Sequence, residues 1–264
     1  MNYNVIRGVA SALVAAAVLC GCETNPITGR SQVLLISDSQ AQSMSAKEYA
    51  TTVTQSRGKG KLDTDPGRYQ RVKAIADRLI AQAIKLRPDS ANWRWEVHVI
   101  DDAEVNAWCM AGGKMAIYTG LIQKINPSDD EIAQVMGHEI SHALLDHTRE
   151  KMSRALATQF GLNVGSILAG ADLNAFSSVA SVAFLLPNSR QAESEADRLG
   201  IEIAARSGYD PNAAVSLWTK MSNLGGGQVP QILSTHPSDQ ARLTALRELV
   251  PTMTPVYQQA RAGR

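Results

Sequence analysis

Residues 128–147 read SDDEIAQVMGHEISHALLDH. His138 and His142 stand four apart with Glu139 beside the first. Ser128 followed by Glu131 makes a capping-box pattern after Pro127, and Ile132, Val135, Met136, Ile140, Ala143 and Leu144 recur at spacings of three and four. The stretch is therefore predicted to be a helix with one apolar face. Residues four apart on a helix lie one above the other, so both imidazoles can reach a single ion with Glu139 next to it. That is the donor arrangement of hydrolytic zinc, in which the ion acidifies a water and the glutamate moves its proton to a leaving amine. So short a pattern also arises by chance, and the rest of the chain must supply a third ligand.

The metzincin spacing would place Gly at 145 and His at 148, where this chain has Leu145 and Thr148. His147 is accordingly read as a polar residue near the end of the motif helix, facing its terminal carbonyls. A better candidate is Glu193-Ser194-Glu195-Ala196-Asp197, within a predicted helix from about 189 to 206 closed by Gly208. Glu193 and Asp197 are i and i+4, so one carboxylate can bind metal while the other orients a ligating histidine. A solvated acidic helix face has the same spacing; its partnership with HExxH upstream favours the metal.

Three blocks, NAWCMAGGKMAIYTGLI from Asn106, HEISHALLDH from His138 and ESEADRLGIEIAARSGYDP from Glu193, with a weaker fourth at Ser234-Thr235-His236-Pro237, carry a family resemblance. Over about residues 30 to 250 the chain resembles the gluzincin peptidases that include HtpX and the CAAX prenyl endopeptidases, and most closely their soluble, outer-membrane-associated periplasmic members in bacteria. The resemblance implies a zincin-like metalloprotease domain binding one zinc ion per chain through His138, His142 and Glu193. Glu139 is then the general base, Asp197 supports the site, and the loop of His236 lies near the metal, which makes His236 a candidate catalytic residue, either as a fourth zinc ligand that holds the enzyme latent or as a hydrogen-bond donor to the oxyanion. Ala111 departs from the pattern, which often has Pro before the glycine pair, and leaves the shape of that turn open.

Arg7 precedes an apolar run from Val9 to Leu19, too short to span a bilayer as a mature helix, and the pattern is that of a secretory signal over residues 1–21. Leu19-Cys20-Gly21-Cys22 resembles a lipobox with Cys22 as the lipidated first residue, and Glu23 in place of Asp resembles the sorting signal for the outer membrane. The expectation is an outer-membrane lipoprotein facing the periplasm of the bacterial envelope, touching the membrane through its lipid anchor. Only Cys109 would remain besides Cys22, so no intrachain disulfide is expected. Losing Arg7, the one charged residue before Cys22, takes the formal charge from +1 to 0. That balance suggests no nucleic-acid partner.

Residues 22–60 are read as a polar tether and a docking helix from about 37 to 55, residues 61–252 as the protease domain and 253–264 as a tail. Asp65-Pro66 opens a helix to about Leu86. Residues 93–100 alternate as a strand, and 106–110 with 114–119 form a hairpin around Gly112-Gly113. Asn106, Ala107, Gly112 and Gly113 are candidate substrate-binding positions, because proteases commonly add an extended substrate to a sheet edge; an ordinary structural hairpin is the alternative. The Gly-Gly-Lys there lacks Walker spacing, and no nucleotide is expected. Residues 151–186 are read as a glycine-containing helical hairpin over the active site, with membrane or partner contact as the lesser alternative. Asp210-Pro211 opens a further helix to about 224, Gly225–Gly227 a flexible loop, and 238–249 a last helix.

The fold class is α+β, mainly α, with a small β-sheet and the HExxH helix at its centre. The function expected is a lipid-anchored zinc endopeptidase acting on unfolded or misassembled envelope proteins. A zinc-containing chaperone or scaffold for outer-membrane protein assembly is the other reading; intact HExxH and ExxxD argue against it.

Overall fold

The computed structural model describes residues 22–161, 177–224, 230–236 and 240–263. A short antiparallel pair, β1 (Cys22–Thr24) with β2 (Ser31–Val33), precedes helices α1 (Asp38–Gly58) and α2 (Pro66–Leu86). Strands β3 (Glu96–Ile100), β4 (Ala107–Met110) and β5 (Lys114–Tyr118) lead into α3 (Thr119–Ile125), α4 (Asp129–Leu144), α5 (His147–Gly161) and α6 (Ser177–Leu185). Helices α7 (Arg190–Arg206), α8 (Asn212–Ser222), α9 (Gln231–Thr235) and α10 (Gln240–Ala262) complete the described chain. This is the mainly helical α+β architecture expected. None of the described helices is long and apolar enough to cross a membrane.

The motif helix α4 begins as predicted, with Ser128 and Glu131 exchanging both capping-box hydrogen bonds. Every residue of α4 from Glu131 to Leu144 is buried, which makes it the central post of the core. Helix α2, capped by Asp65 with Pro66 in its first turn, buries Val72, Ile75, Ala76, Leu79 and Ala83 in that same core. The larger sheet has the order β3-β5-β4, with β3 parallel to β5 and β4 antiparallel to it. The β4–β5 hairpin turns on Gly112 and Gly113 at φ +81° and +77°, and a Cβ on Gly113 would sit 2.5 Å from the Trp95 ring, so the turn requires glycine there.

The strand expected over 93–100 starts only at Glu96, because Pro88–Asn92 forms a 3-10 turn that draws the Trp93 N–H to the Ser90 carbonyl. The segment read as a tether is fastened to the domain: Arg149 grips both carboxylate oxygens of Glu23 at 2.9 and 2.6 Å, and Arg30 grips Glu150 at 3.1 and 2.7 Å. The last helix runs past 249 to Ala262, carrying Pro251 and Pro255 inside it. Both prolines are exposed, as is Arg247, and the carbonyls of Arg247 and Pro251 are the ones left without a helical N–H partner. Part of the helical hairpin read over 151–186 and the loop at Gly225–Gly227 lie outside the described residues.

Candidate metal centre

Helix α7 crosses α4 so closely that a Cβ on Gly200 would lie 2.8 Å from the His138 nitrogen. This approach, two turns beyond Glu193, brings the Glu193 carboxylate against both motif histidines. His138 Nε2 and His142 Nε2 are 3.0 Å apart, and Glu193 reaches them at 3.4 Å through Oε2 and 3.3 Å through Oε1. The fourth member is His236, just after α9, whose Nδ1 lies 2.9 Å from Glu193 Oε1 and 3.2 Å from His138 Nε2. One ligand atom from each of these four buried residues lies within 4.8 Å of the other three.

The outward nitrogens of the two motif histidines are already committed. His138 Nδ1 faces Asp197 Oδ1 at 3.0 Å, and His142 Nδ1 faces His147 Nδ1 at 2.9 Å. Their Nε2 atoms, two lone-pair donors with a carboxylate beside them, therefore converge on a space that suits a cation. Two imidazoles and one carboxylate are a zinc donor set, and the residues fit that ion.

Glu139 is buried beside this group, with Oε1 lacking a hydrogen-bond partner among the described residues and His236 Nε2 3.5 Å away. An unpartnered buried carboxylate oxygen is a costly feature that a protein-only core would not retain. Glu139 opens onto a cleft whose lining includes Asn106, Ala107, Trp108, Cys109 and Met110 together with Lys151, Met152, Phe184 and Asn188. β4 is thus an edge strand along the cleft. Of the four hairpin residues singled out above, Asn106 and Ala107 line it, whereas Gly112 and Gly113 sit at the turn against Gln42 and Trp95. Cys22 is exposed at the start of β1.

Electrostatics follow from crowding charged groups in a dry site. Burial opposes protonation of His138, but the Asp197 and Glu193 carboxylates lift it to about 9. Burial, reinforced by His138, drives His142 well below its ordinary value. Burial also opposes ionisation of Glu193, yet the three histidines around it hold it well below the usual carboxylate range. Asp197 is likewise kept low, against its burial, by Arg242 and His138.

Three residues of this neighbourhood carried no sequence signal, and a fourth, His147, was placed wrongly. Arg242, from α10, forks onto Asp197 at 2.7 Å with Nε and Nη2, reaches Glu193 Oε2 at 2.9 Å and lies 3.4 Å from the centre of the Trp218 ring. Asn188 donates to Glu193 Oε1 at 2.8 Å. Lys151 enters the cleft with its ammonium on the Leu186 carbonyl at 3.2 Å, and burial lowers it to about 8. His147 does not end the motif helix, as the sequence suggested. Asp146 turns the chain at φ 57°, and His147 opens α5, buried, with Nε2 3.0 Å from Glu195 Oε2. Burial pushes His147 down.

Comparison with known proteins agrees with this geometry. The sequence model described as Peptidase family M48 matches residues 66–250. The chain is 30% identical over 243 residues to the mitochondrial metalloendopeptidase OMA1 of Bos taurus, covering 87% of this chain and 46% of the relative. It is 36% identical over 172 residues to the mitochondrial metalloendopeptidase OMA1 of Arabidopsis thaliana, covering 64% and 35%. It is 29% identical over 277 residues to the beta-barrel assembly-enhancing protease of Escherichia coli K12, covering 98% and 55%. The chain spans about half, or less, of the length of these relatives.

Proposed function

Because this chain belongs to peptidase family M48, we propose that it is a zinc-dependent endopeptidase, anchored by lipid at Cys22 and cleaving unfolded or misassembled proteins of the bacterial envelope. The observation that carries the chemistry is the meeting of His138, His142 and Glu193 with the unpartnered Oε1 of Glu139 at the floor of a cleft. Zinc held there supplies Lewis acidity, lowering the pKa of a bound water and polarising the scissile carbonyl. Glu139 Oε1 takes a proton from the attacking water and delivers it to the leaving nitrogen. Asp197, fixed by Arg242, keeps hydrogen on His138 Nδ1 so that Nε2 remains a ligand. Strand β4 offers its outer edge, unpaired by any strand among the described residues, to an extended substrate, which selects unfolded chains because only these can lie along it as an added strand. Burial of the site among Trp108, Met110 and Phe184 excludes bulk water.

The envelope placement is supported by the apolar run and lipobox-like pattern before Glu23 and by the beta-barrel assembly-enhancing relative. Purified mature chain is expected to contain about one zinc and to digest unfolded casein. Glu139→Gln is expected to keep the metal and lose cleavage, because this residue moves protons and does not coordinate. Cleavage at wild-type rate by Glu139→Gln would refute the mechanism. Full cellular function of that variant without cleavage would favour the chaperone reading.

A further inference from the structure

His147 and Glu195 lie outside the four-residue ligand group, yet they form a line of contacts that runs from half-buried Glu195 through buried His147 to His142. His147 Nδ1 is 2.9 Å from His142 Nδ1, and His147 Nε2 is 3.0 Å from Glu195 Oε2. Arg30, 165 positions away in the chain, meets Glu195 through Nε at 3.1 Å from Oε2 and 2.8 Å from Oε1.

Valence leaves one assignment compatible with a ligand. A carboxylate only accepts, so His147 Nε2 carries a hydrogen; the two facing Nδ1 atoms then need one hydrogen between them. Were it on His147, His142 would bear its own hydrogen on Nε2, the atom that faces His138 and Glu193. With the hydrogen on His142, His147 accepts and His142 Nε2 presents its lone pair to the cluster. The local fold enforces the meeting. The left-handed turn at Asp146 swings His147 back over His142, while Arg87 and Gln32 tie the carbonyls of Leu144 and Leu145 at 2.8 and 2.9 Å.

We propose that His147 is a positioning residue of the metal centre: held by Glu195 and, through Arg30, by the N-terminal β1–β2 segment, it fixes His142 with hydrogen on Nδ1 and Nε2 free for zinc. The proposal rests on the zinc reading of the cluster. It makes a segment far from the motif helix part of the metal site, and it gives His142 the counterpart of what Asp197 does for His138.

Zinc affinity of the full mature chain, measured by competition with a chelating dye, tests this in His147→Leu, His147→Gln and Arg30→Met, with the melting temperature of each metal-free protein alongside. Leucine removes both contacts; glutamine can offer its carbonyl oxygen to the His142 N–H and its amide to Glu195. His147→Leu is expected to weaken zinc binding roughly 10- to 100-fold, His147→Gln to restore it to within about threefold, and Arg30→Met to weaken it severalfold. Nitrogen NMR of the imidazoles is expected to show His142 protonated on Nδ1 in the wild type and in His147→Gln, and mixed in His147→Leu. Wild-type affinity in His147→Leu, while His142→Ala loses the metal, overturns the relay and leaves the metal centre standing. Equal losses in the leucine and glutamine variants overturn it in favour of a packing role. Retention of zinc by His142→Ala overturns the metal assignment and the relay with it.

Discussion

Gly137 and Gly200 face each other where α4 crosses α7: a Cβ on Gly137 would lie 2.9 Å from the Gly200 carbonyl oxygen, and one on Gly200 would lie 2.8 Å from the His138 nitrogen. The obstacles are backbone atoms, which cannot rotate aside. Gly200→Ala should therefore push the helices apart, although alanine alone would favour the helix by about 1 kcal/mol. We expect a net loss of about 2 kcal/mol in urea unfolding, together with weaker zinc binding, because Glu193 sits on the helix that is displaced. A variant as stable as wild type with unchanged zinc affinity would show that the crossing does not set the ligand geometry.

What the sequence made legible was local. The Ser128 and Asp65 caps, the glycine turn at 112–113 and the i, i+4 pairs announce themselves within a few residues, since the physics that fixes them acts over one helical turn. Apart from Asp197, the residues that hold the motif histidines and their carboxylates did not. Arg242 resembles any other arginine until α10 packs beside α7, and His147 could be placed only by the turn at Asp146, a non-glycine residue at φ 57° that no spacing rule anticipates. The link from Arg30 to Glu195 depends on tertiary packing alone. The end of the last helix, expected at 249, lies instead at Ala262: the helix runs through Pro251 and Pro255, both exposed.

Lys151 gives a pH dependence with a definite sign. Burial lowers it from 10.5 to about 8, and among the described residues no carboxylate pairs with its ammonium. Below pH 8 both folded and unfolded chains carry the proton, so the folded state bears the full cost of a buried charge. Between pH 8 and 10.5 the folded chain releases its proton first, the unfolded chain binds more protons, and stability from this group rises with pH. A shift of this size corresponds to about 3 kcal/mol. Lys151→Met should accordingly be more stable than wild type at pH 7 by up to that amount, with the gap closing towards pH 10. Urea midpoints of both proteins across that range check it; a pH-independent difference would contradict the assignment.

Cys22 sits one residue before Glu23, which is clamped by Arg149 of α5. Lipid on Cys22 would therefore hold the catalytic domain close against the bilayer instead of at the end of a flexible leash. Cys22→Ser should move the protein from the membrane to the soluble or unprocessed fraction. A single acyl chain binds only marginally, so the mass of the membrane-extracted wild type should show several chains on a mature N-terminus at Cys22. An unmodified N-terminus elsewhere would exclude the anchor.

His236 occupies the position from which a latent state can be read. Its Nδ1 lies among the ligand atoms, 2.9 Å from Glu193 Oε1 and 3.2 Å from His138 Nε2, while Nε2 is 3.5 Å from Glu139 Oε1. A neutral imidazole so placed competes with water for the fourth zinc position; swung aside, it could instead donate a hydrogen bond to the developing oxyanion. The geometry favours the first role. If the closed arrangement is preferred by about 1.4 kcal/mol, only about a tenth of the molecules are open, and removing the ring should raise the casein-cleavage rate by up to about tenfold. Three ligands remain in His236→Ala, so zinc content should stay near one per chain. A fall in kcat of roughly 10² at that zinc content would assign the ring to the oxyanion instead. Wild-type cleavage by His236→Ala would dismiss both roles and leave the contact with Glu193 as a structural one.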